Sequence, residues 1–435
     1  MKLLLGRLGW EDLNKLGGDK RKGRPQYILS RAQLLSALIF HYTVTWAGTF
    51  SEHLLILMGM KIAESTLSER RQALPFEIFE QLLARVLRPL TSASAQAFHQ
   101  GLRLVAIDGI GFSLPNNQKI KKRCQKGNNG HGPVAFAKLQ CAALVELVMH
   151  NPLAARLGIN GESEWKLALG LLVHLPKLCL LLCDRLYGCG AFIIPAARHL
   201  KSLGGHLLAR VKENLKVVHV KRLKDGTRIV EIKLMDPENK SRVLETMKVR
   251  EIRATLQRRG HRDVHIRLLT TLMDCDKFPA RELIALYASR WEQELYFREL
   301  KRELAINDLL RSQTVETAAQ EVAAMIIGSS LIAQERASLK PGEELCHRIS
   351  FIKVWETLEP LWLTLMLGAD ILSEEQKQQL TDRFYWLAST RKMAKKRVRA
   401  CPRVLRQPNQ PWPRKKDQQN STAPLEITIC ASTEK

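Results

Sequence analysis

The spacing of apolar residues changes its period along this 435-residue chain, and that change restricts the fold more than any other feature. Over residues 1 to about 100 the spacing is helical, as in "SRAQLLSALIFHY" and "PFEIFEQLLARVL". From residue 101 it shortens. "RLVAIDGIGFSLP" reads as a short strand ending at Asp108-Gly109, and "PVAFAKLQCAALVELV" as one or two strands. "KLCLLLCDRLYG" reads as a buried strand ending at Asp184, and "GHLLARVK" as another. Helices are expected at "SEWKLALGLLVHL" and at "GAFIIPAARHLKSLG", the latter closed by Gly204. Strands alternating with helices predict an α/β fold with a mixed sheet.

Residues 213–275 differ from what precedes them. "LKVVHVKRL", "KDG" and "TRIVEIKLM" form a hairpin signal with Asp225-Gly226 at the turn, and further alternating segments follow. This is a β-rich, basic insertion. A helix is expected to begin near Ala280, and the chain is helical again after about residue 320. Six segments result: helical 1–100, mixed 101–212, β-rich 213–275, a helical and mixed part 276–345, helical 346–390, and a basic disordered tail 391–435.

The net charge of +25 and pI of about 9.9 speak to partners. The partner expected is a polyanion, with nucleic acid foremost. An acidic membrane surface is the alternative, but apolar runs such as "LCLLLC" fall far short of the roughly 20 residues of a spanning helix. The start is too short in apolar residues for a signal peptide. The nine Cys contain no C-x-x-C pair and read as free buried thiols in a reducing cytosol.

In "GMKIAESTLSERRQAL", Ser65 or Thr66 could cap a short helix exposing Ser68, Arg70 and Arg71. That suits a helix-turn-helix on DNA, and a plain helical hairpin equally. The cation-rich "KIKKRCQK" fits a loop against a DNA backbone. "KGNNGHG" lacks the ending of a phosphate-binding loop, so no ATP requirement is implied. His131, His150 and His174 show no catalytic pattern.

Asp108 and Asp184 each close an expected strand, where side chains of α/β sheets meet ligands. Glu294 lies in the helical stretch "YASRWEQELYFRELK". Three such carboxylates, brought together, would hold hard divalent cations such as Mg²⁺. A pair of ions about 3.5–4 Å apart suits in-line displacement at phosphorus. In that stretch Tyr287, Arg290, Glu294 and Lys301 share one face of the expected helix, because at about 100° per residue they fall within roughly 60°. Arg290 and Lys301 could then grip phosphates beside the scissile one.

Tyr287-x2-Arg290-x3-Glu294-x6-Lys301 resembles the YREK signature of DDE transposases from bacterial insertion sequences, the insertion-sequence-four group. Asp108 in "AIDGIGF" looks like the first acid of that group, and Asp184 in "LLCDRLYG", followed by Arg185, like the second. The resemblance implies an RNase H-like core split by the β-rich insertion, with residues 1–100 binding DNA. It implies hydrolysis at transposon ends, dependent on two Mg²⁺ (Mn²⁺ could substitute), and strand transfer into target DNA. Asp108, Asp184 and Glu294 would be the metal ligands. Tyr287, Arg290, Lys301 and Arg185 would contact double-stranded DNA, in a synaptic homodimer in the bacterial cytoplasm. Two departures stand out. Ile110 replaces the commoner Thr after Asp-Gly, and residues 205–275 contain no Trp, Phe or Tyr to stack a flipped base, which leaves Trp291 as the stacking candidate. A non-mobile nuclease, or a DNA-binding protein that no longer cuts, would share much of this pattern.

Overall fold

A computed structural model of the chain describes residues 16, 29–44, 48–90, 97–124, 126–129, 132–239, 241–257, 263–301, 309–339, 349–368, 370–393 and 425–430. They form two compact units, Met1–Pro176 with Trp291–Met393, and Lys177–Arg290 with Ala394–Lys435. Elements are numbered along the chain through both.

Among the described residues the first unit begins with four helices, α1 (Arg31–His41), α2 (Phe50–Met58), α3 (Glu64–Gln72) and α4 (Glu77–Val86). Capping boxes start α1 at Ser30 with Gln33 and α2 at Thr49 with Glu52. Helix α3 does not use Ser65 or Thr66 as its cap. It begins at Glu64, with Ala63, two residues before Ser65, at the cap position and no side-chain cap bond. Its arginines are not left to solvent either. Arg70 donates to the Leu29 carbonyl at 2.9 Å. Arg71 donates to Gln320 Oε1, Ser312 Oγ and the Thr317 carbonyl. Arg71 thus joins α3 to a distant helix of the same unit, and the expected DNA-reading face loses a cation.

Three antiparallel strands follow, β1 (Leu102–Ser113), β2 (Lys138–Glu146) and β3 (Asn151–Leu157), in that spatial order. Strand β1 does not end at Asp108. Pairing continues from Ile110↔Cys141 to Ser113↔Lys138, because Ile110 and Phe112 keep the apolar alternation going. Helix α5 (Glu164–Leu171) comes next. After the second unit the chain returns as α8 (Trp291–Glu299), α9 (Val315–Ser338), α10 (Phe351–Leu367) and α11 (Glu374–Thr390). One face of β1 and β2 (Ile110, Phe112, Cys141, Ala143) joins Tyr296, Phe297 and Leu300 and the apolar surfaces of α1, α4 and α9 in a single core. By length and composition α9 could cross a membrane, but its most apolar stretch is 94% buried within the protein, as in a core helix of a globular fold.

The second unit holds a mixed sheet. β4 (Cys179–Cys183), entirely buried, runs parallel to β5 (His206–Arg210) across α6 (Gly190–Ser202). Antiparallel strands extend it: β5 pairs β9 (Val264–Thr270), then β8 (Val243–Gln257), β7 (Arg228–Met235) and β6 (Val218–Arg222). The expected hairpin is present: Gly226 has φ +84°, and Asp225 accepts from the Thr227 amide at 3.1 Å. Buried Arg250 bonds Asp225, Thr227 and the Phe278 carbonyl. Buried Arg267 bonds Glu251 at 2.6 Å. These side-chain networks lie beside an aliphatic core of Val230, Ile232, Val249, Ile252, Leu268 and Leu269.

Helix α7 (Ala280–Tyr287) starts where expected. The single helix expected over "YASRWEQELYFRELK" is interrupted, since Ala288–Arg290 form a 3₁₀ turn before α8 begins. Ser289 Oγ donates to the Leu286 carbonyl at 2.6 Å, a local bond that competes with the helical ladder. No continuous α-helical face therefore runs through residues 288–290. Residues 391–435 read as a disordered tail, but within them β10 (Glu426–Ile429) pairs antiparallel with Ala254–Gln257 of β8. Its alternation puts Ile427 and Ile429 on one side. The basic run 394–424 and His131 lie outside the described residues.

Candidate active site

In the first unit, Asp108 is half-buried at the middle of β1 and pairs with Ala143 of β2. Alternation puts Asp108, Ile110 and Phe112 on one face, the face α8 covers. Two contacts register α8 against it. Gln293, fully buried, donates Nε2 to the Ala143 carbonyl at 3.0 Å. Lys301 places Nζ 5.9 Å from the Phe112 ring centroid. From 293 to 299 the helix rises about 9 Å and Lys301 follows in a wider π turn, while from 108 to 112 the strand rises about 13 Å. Helix and strand therefore run side by side, with Glu294 level with Asp108 and Lys301 level with Phe112.

The helix has distinct sides. Gln293, Tyr296, Phe297 and Leu300 face the sheet and are buried. At about 100° per residue, Glu294 and Lys301 lie on one flank and Glu292 and Glu299 on the other. Trp291 points away and is 57% exposed. Glu294 thus has the flank it shares with Lys301, while its neighbours bind the helix down.

Asp108 accepts from the Gly109 amide at 2.9 Å. Gly109 itself faces the opposite side of the strand. A Cβ there would come within 2.1 Å of the Glu164 carboxyl carbon at the start of α5. The Asp-Gly pair is explained by both faces, an acid on one and a close-packed helix start on the other.

In the second unit, Asp184 immediately follows β4 and is half-buried, and Arg185 is exposed. The Asp184 carbonyl accepts from the Tyr187 amide at 3.0 Å, turning the chain. Two glycines permit the turn to lie close to neighbouring strands. A Cβ on Gly188 would sit 2.3 Å from the Arg210 carbonyl oxygen, and one on Gly190 2.0 Å from that of Lys233. Tyr287 is buried, and its hydroxyl donates to the Cys183 carbonyl at 3.2 Å, one residue before Asp184. Burial pushes the phenol's pKa well up; the charges of Arg290 and Arg210 oppose the shift and Asp184 adds to it. Asp184, Tyr287, Arg290 and Arg210 are thereby gathered at one strand end. Tyr287 is turned to the protein backbone, not outward as a phosphate contact requires. Arg210 was not singled out from the sequence; its signal was its place at the end of the strand next to β4.

All three acids offer hard oxygen donors in half-buried settings, the chemistry that suits Mg²⁺-type cations. Among the described residues, no group of three or more His, Cys, Asp or Glu side chains stands ready as a metal cluster.

Residues 99–329 match the family described as "Transposase DDE domain", more than half of the chain. The chain belongs to the DDE transposases. As such it is an enzyme that breaks and joins DNA phosphodiesters with divalent metal ions. This transposase is 24% identical over 356 residues to "Transposase InsG for insertion sequence element IS4" of Escherichia coli (strain K12), across 81% of this chain and 78% of the relative. That relative agrees with the insertion-sequence-four resemblance of the YREK signature. A piggyBac transposase in a synaptic complex with hairpin DNA has a TM-score of 0.45 at 10% identity, over 88% of this chain and 83% of that one, too distant to argue from.

Proposed function

We propose that this transposase moves an insertion sequence by cutting at its ends and joining the freed 3′-hydroxyls to target DNA, with Asp108, Asp184 and Glu294 as ligands of two Mg²⁺ ions. The observation that carries the reading is the level of Glu294 with Asp108, set by the Gln293–Ala143 bond. Bound divalent ions would supply activation of the attacking water or hydroxyl and neutralisation of charge on the leaving oxygen. The protein's own part is positioning. Lys301 shares Glu294's flank and is suited to a phosphate beside the scissile one. Arg290 and Arg210 supply positive charge around Asp184, and exposed Arg185 supplies more. Tyr287 holds the strand end that carries Asp184.

An RNase H-like core is the fold we assign to the catalytic parts. The three-strand meander followed by the β4–α6–β5 crossover supports it. Helices α1–α4 are proposed to bind the element's inverted-repeat ends, in a homodimer that pairs two ends in the bacterial cytoplasm. Trp291, more than half exposed beside Arg290 in sequence, is the proposed stacking platform for a displaced base.

The test is strand cleavage on DNA bearing the element's terminal inverted repeats. Cleavage is expected with Mg²⁺, and loss of at least about 10³-fold on Glu294→Gln, Asp184→Asn or Asp108→Asn. Full activity in any of the three removes that residue from the ligand set. Cleavage without strand transfer would instead identify a nuclease.

A further inference from the structure

His150 lies in the turn between β2 and β3, with φ +52°, next but one to Val148 at φ +71°. Residues other than glycine hold that conformation at a cost, so other contacts must secure the turn. The ring is buried, and both its nitrogens are taken. Nδ1 lies 2.7 Å from Glu299 Oε2, and Nε2 lies 2.9 Å from Glu292 Oε2. Glu292 and Glu299 are two turns apart on the same flank of α8, the flank opposite Glu294. A neutral imidazole can donate from only one nitrogen, so bonding two carboxylates calls for the imidazolium.

We propose that His150 is a positioning residue, whose imidazolium bridges Glu292 and Glu299 and so fixes the roll of α8 and the direction in which Glu294 points. The bridge complements Gln293. The Gln293 amide sets how far along the sheet the helix sits, and His150 sets its rotation from the side. The groups facing His150 are Glu292 and Glu299 of α8 and Arg336 of α9, which donates to the Val148 carbonyl at 2.8 Å. Burial disfavours the ring's charge, but attraction to Glu299 and the hydrogen bonds the ring donates to both glutamates outweigh it and hold the pKa above the ordinary histidine value; Arg336 works against them. The bridge is therefore complete below pH 6.5 and is lost as the pH rises through His150's raised folded-state value.

The proposal rests on Glu294 being a catalytic acid, and its test separates the two claims. Hydrogen exchange on the full-length protein reads the seat of α8. His150→Gln is expected to speed exchange of the Trp291–Glu299 amides by about tenfold or more while β4 and β5 stay protected. In the wild type the same amides lose protection as the pH rises, and in the variant that pH response disappears. Strand cleavage at saturating DNA falls by about 10²-fold, the scale for a misplaced reacting group, with little change in DNA affinity. Glu299→Gln keeps a hydrogen-bonding partner but removes one charge. It should give a smaller change of the same kind, and it serves if His150→Gln does not fold. Unchanged α8 exchange in both variants overturns the proposal, as does a uniform speeding across the whole protein. If Glu294→Gln cuts normally while His150→Gln still loosens α8, the bridge stands and the catalytic reading falls. If Glu294→Gln is dead and α8 is unmoved by His150→Gln, the bridge alone falls.

Discussion

The Gln293 side-chain amide donates to the carbonyl of Ala143 at 3.0 Å, and Ala143 is the residue paired with Asp108. One buried side chain thus ties the helix bearing Glu294 to the strand position opposite the first acid. Its Oε1 is buried and has no hydrogen-bond partner in the structure. Gln293→Leu removes the bond and also an unmet acceptor, so the net loss of stability should be modest, about 1 kcal/mol. Cleavage should fall further, by about tenfold or more, because the helix loses its register. Urea unfolding and single-turnover cleavage measure the two. Equal losses in both would make Gln293 purely structural.

The glycines after Asp184 differ from the glycine after Asp108. At Gly188 and Gly190 an added Cβ meets backbone carbonyl oxygens, which cannot swing aside. Each Ala substitution there should cost roughly 1–3 kcal/mol or more. At Gly109 the Cβ meets the far end of the Glu164 side chain, which can move. Gly109→Ala should cost less, and Glu164→Ala in the same chain should relieve it. Denaturant midpoints of the four variants decide the order.

Tyr287→Phe deletes the bond to the Cys183 carbonyl. Stability should drop by about 0.5–1.5 kcal/mol, and cleavage should weaken with the strand end. DNA affinity should be nearly unchanged, since the hydroxyl faces the backbone. A large loss of affinity at normal stability would restore Tyr287 as a DNA contact. Because its pKa is pushed well up, no ionisation of this phenol should mark the rate profile up to pH 10.

His41 in α1 gives an acid-side prediction. Burial lowers its pKa to about 3, helped by the nearby charges of His53, Arg71 and Arg311. A histidine kept neutral by the fold contributes stability that is fully present above its unfolded value of 6.5, and that stability is lost as the pH falls toward 3. From this group alone the loss should reach about 2 kcal/mol by pH 5. Urea unfolding of the wild type and of His41→Asn at pH 7 and pH 5 isolates it; parallel shifts in both proteins would clear His41.

Local spacing by itself determined much of this protein. The start of α7 at Ala280, the hairpin at Asp225-Gly226 and the place of Asp184 after its strand were all legible. Each depends on residues within a turn or two of one another, where periodicity and turn chemistry act. The order of the three acids and the YREK spacing were equally a matter of chain position. Contacts between distant segments decided the rest. Strand β1 runs past Asp108 because Lys138–Cys141 supply its partners. Arg71 is drawn from an expected DNA face to Ser312, Thr317 and Gln320 of the same unit. Tyr287 turns to Cys183, 104 positions away. His150, with no local sign of a role, finds Glu299 at a separation of 149 residues. Such pairings satisfy buried polar groups, and which groups are buried together is known only once the chain has packed.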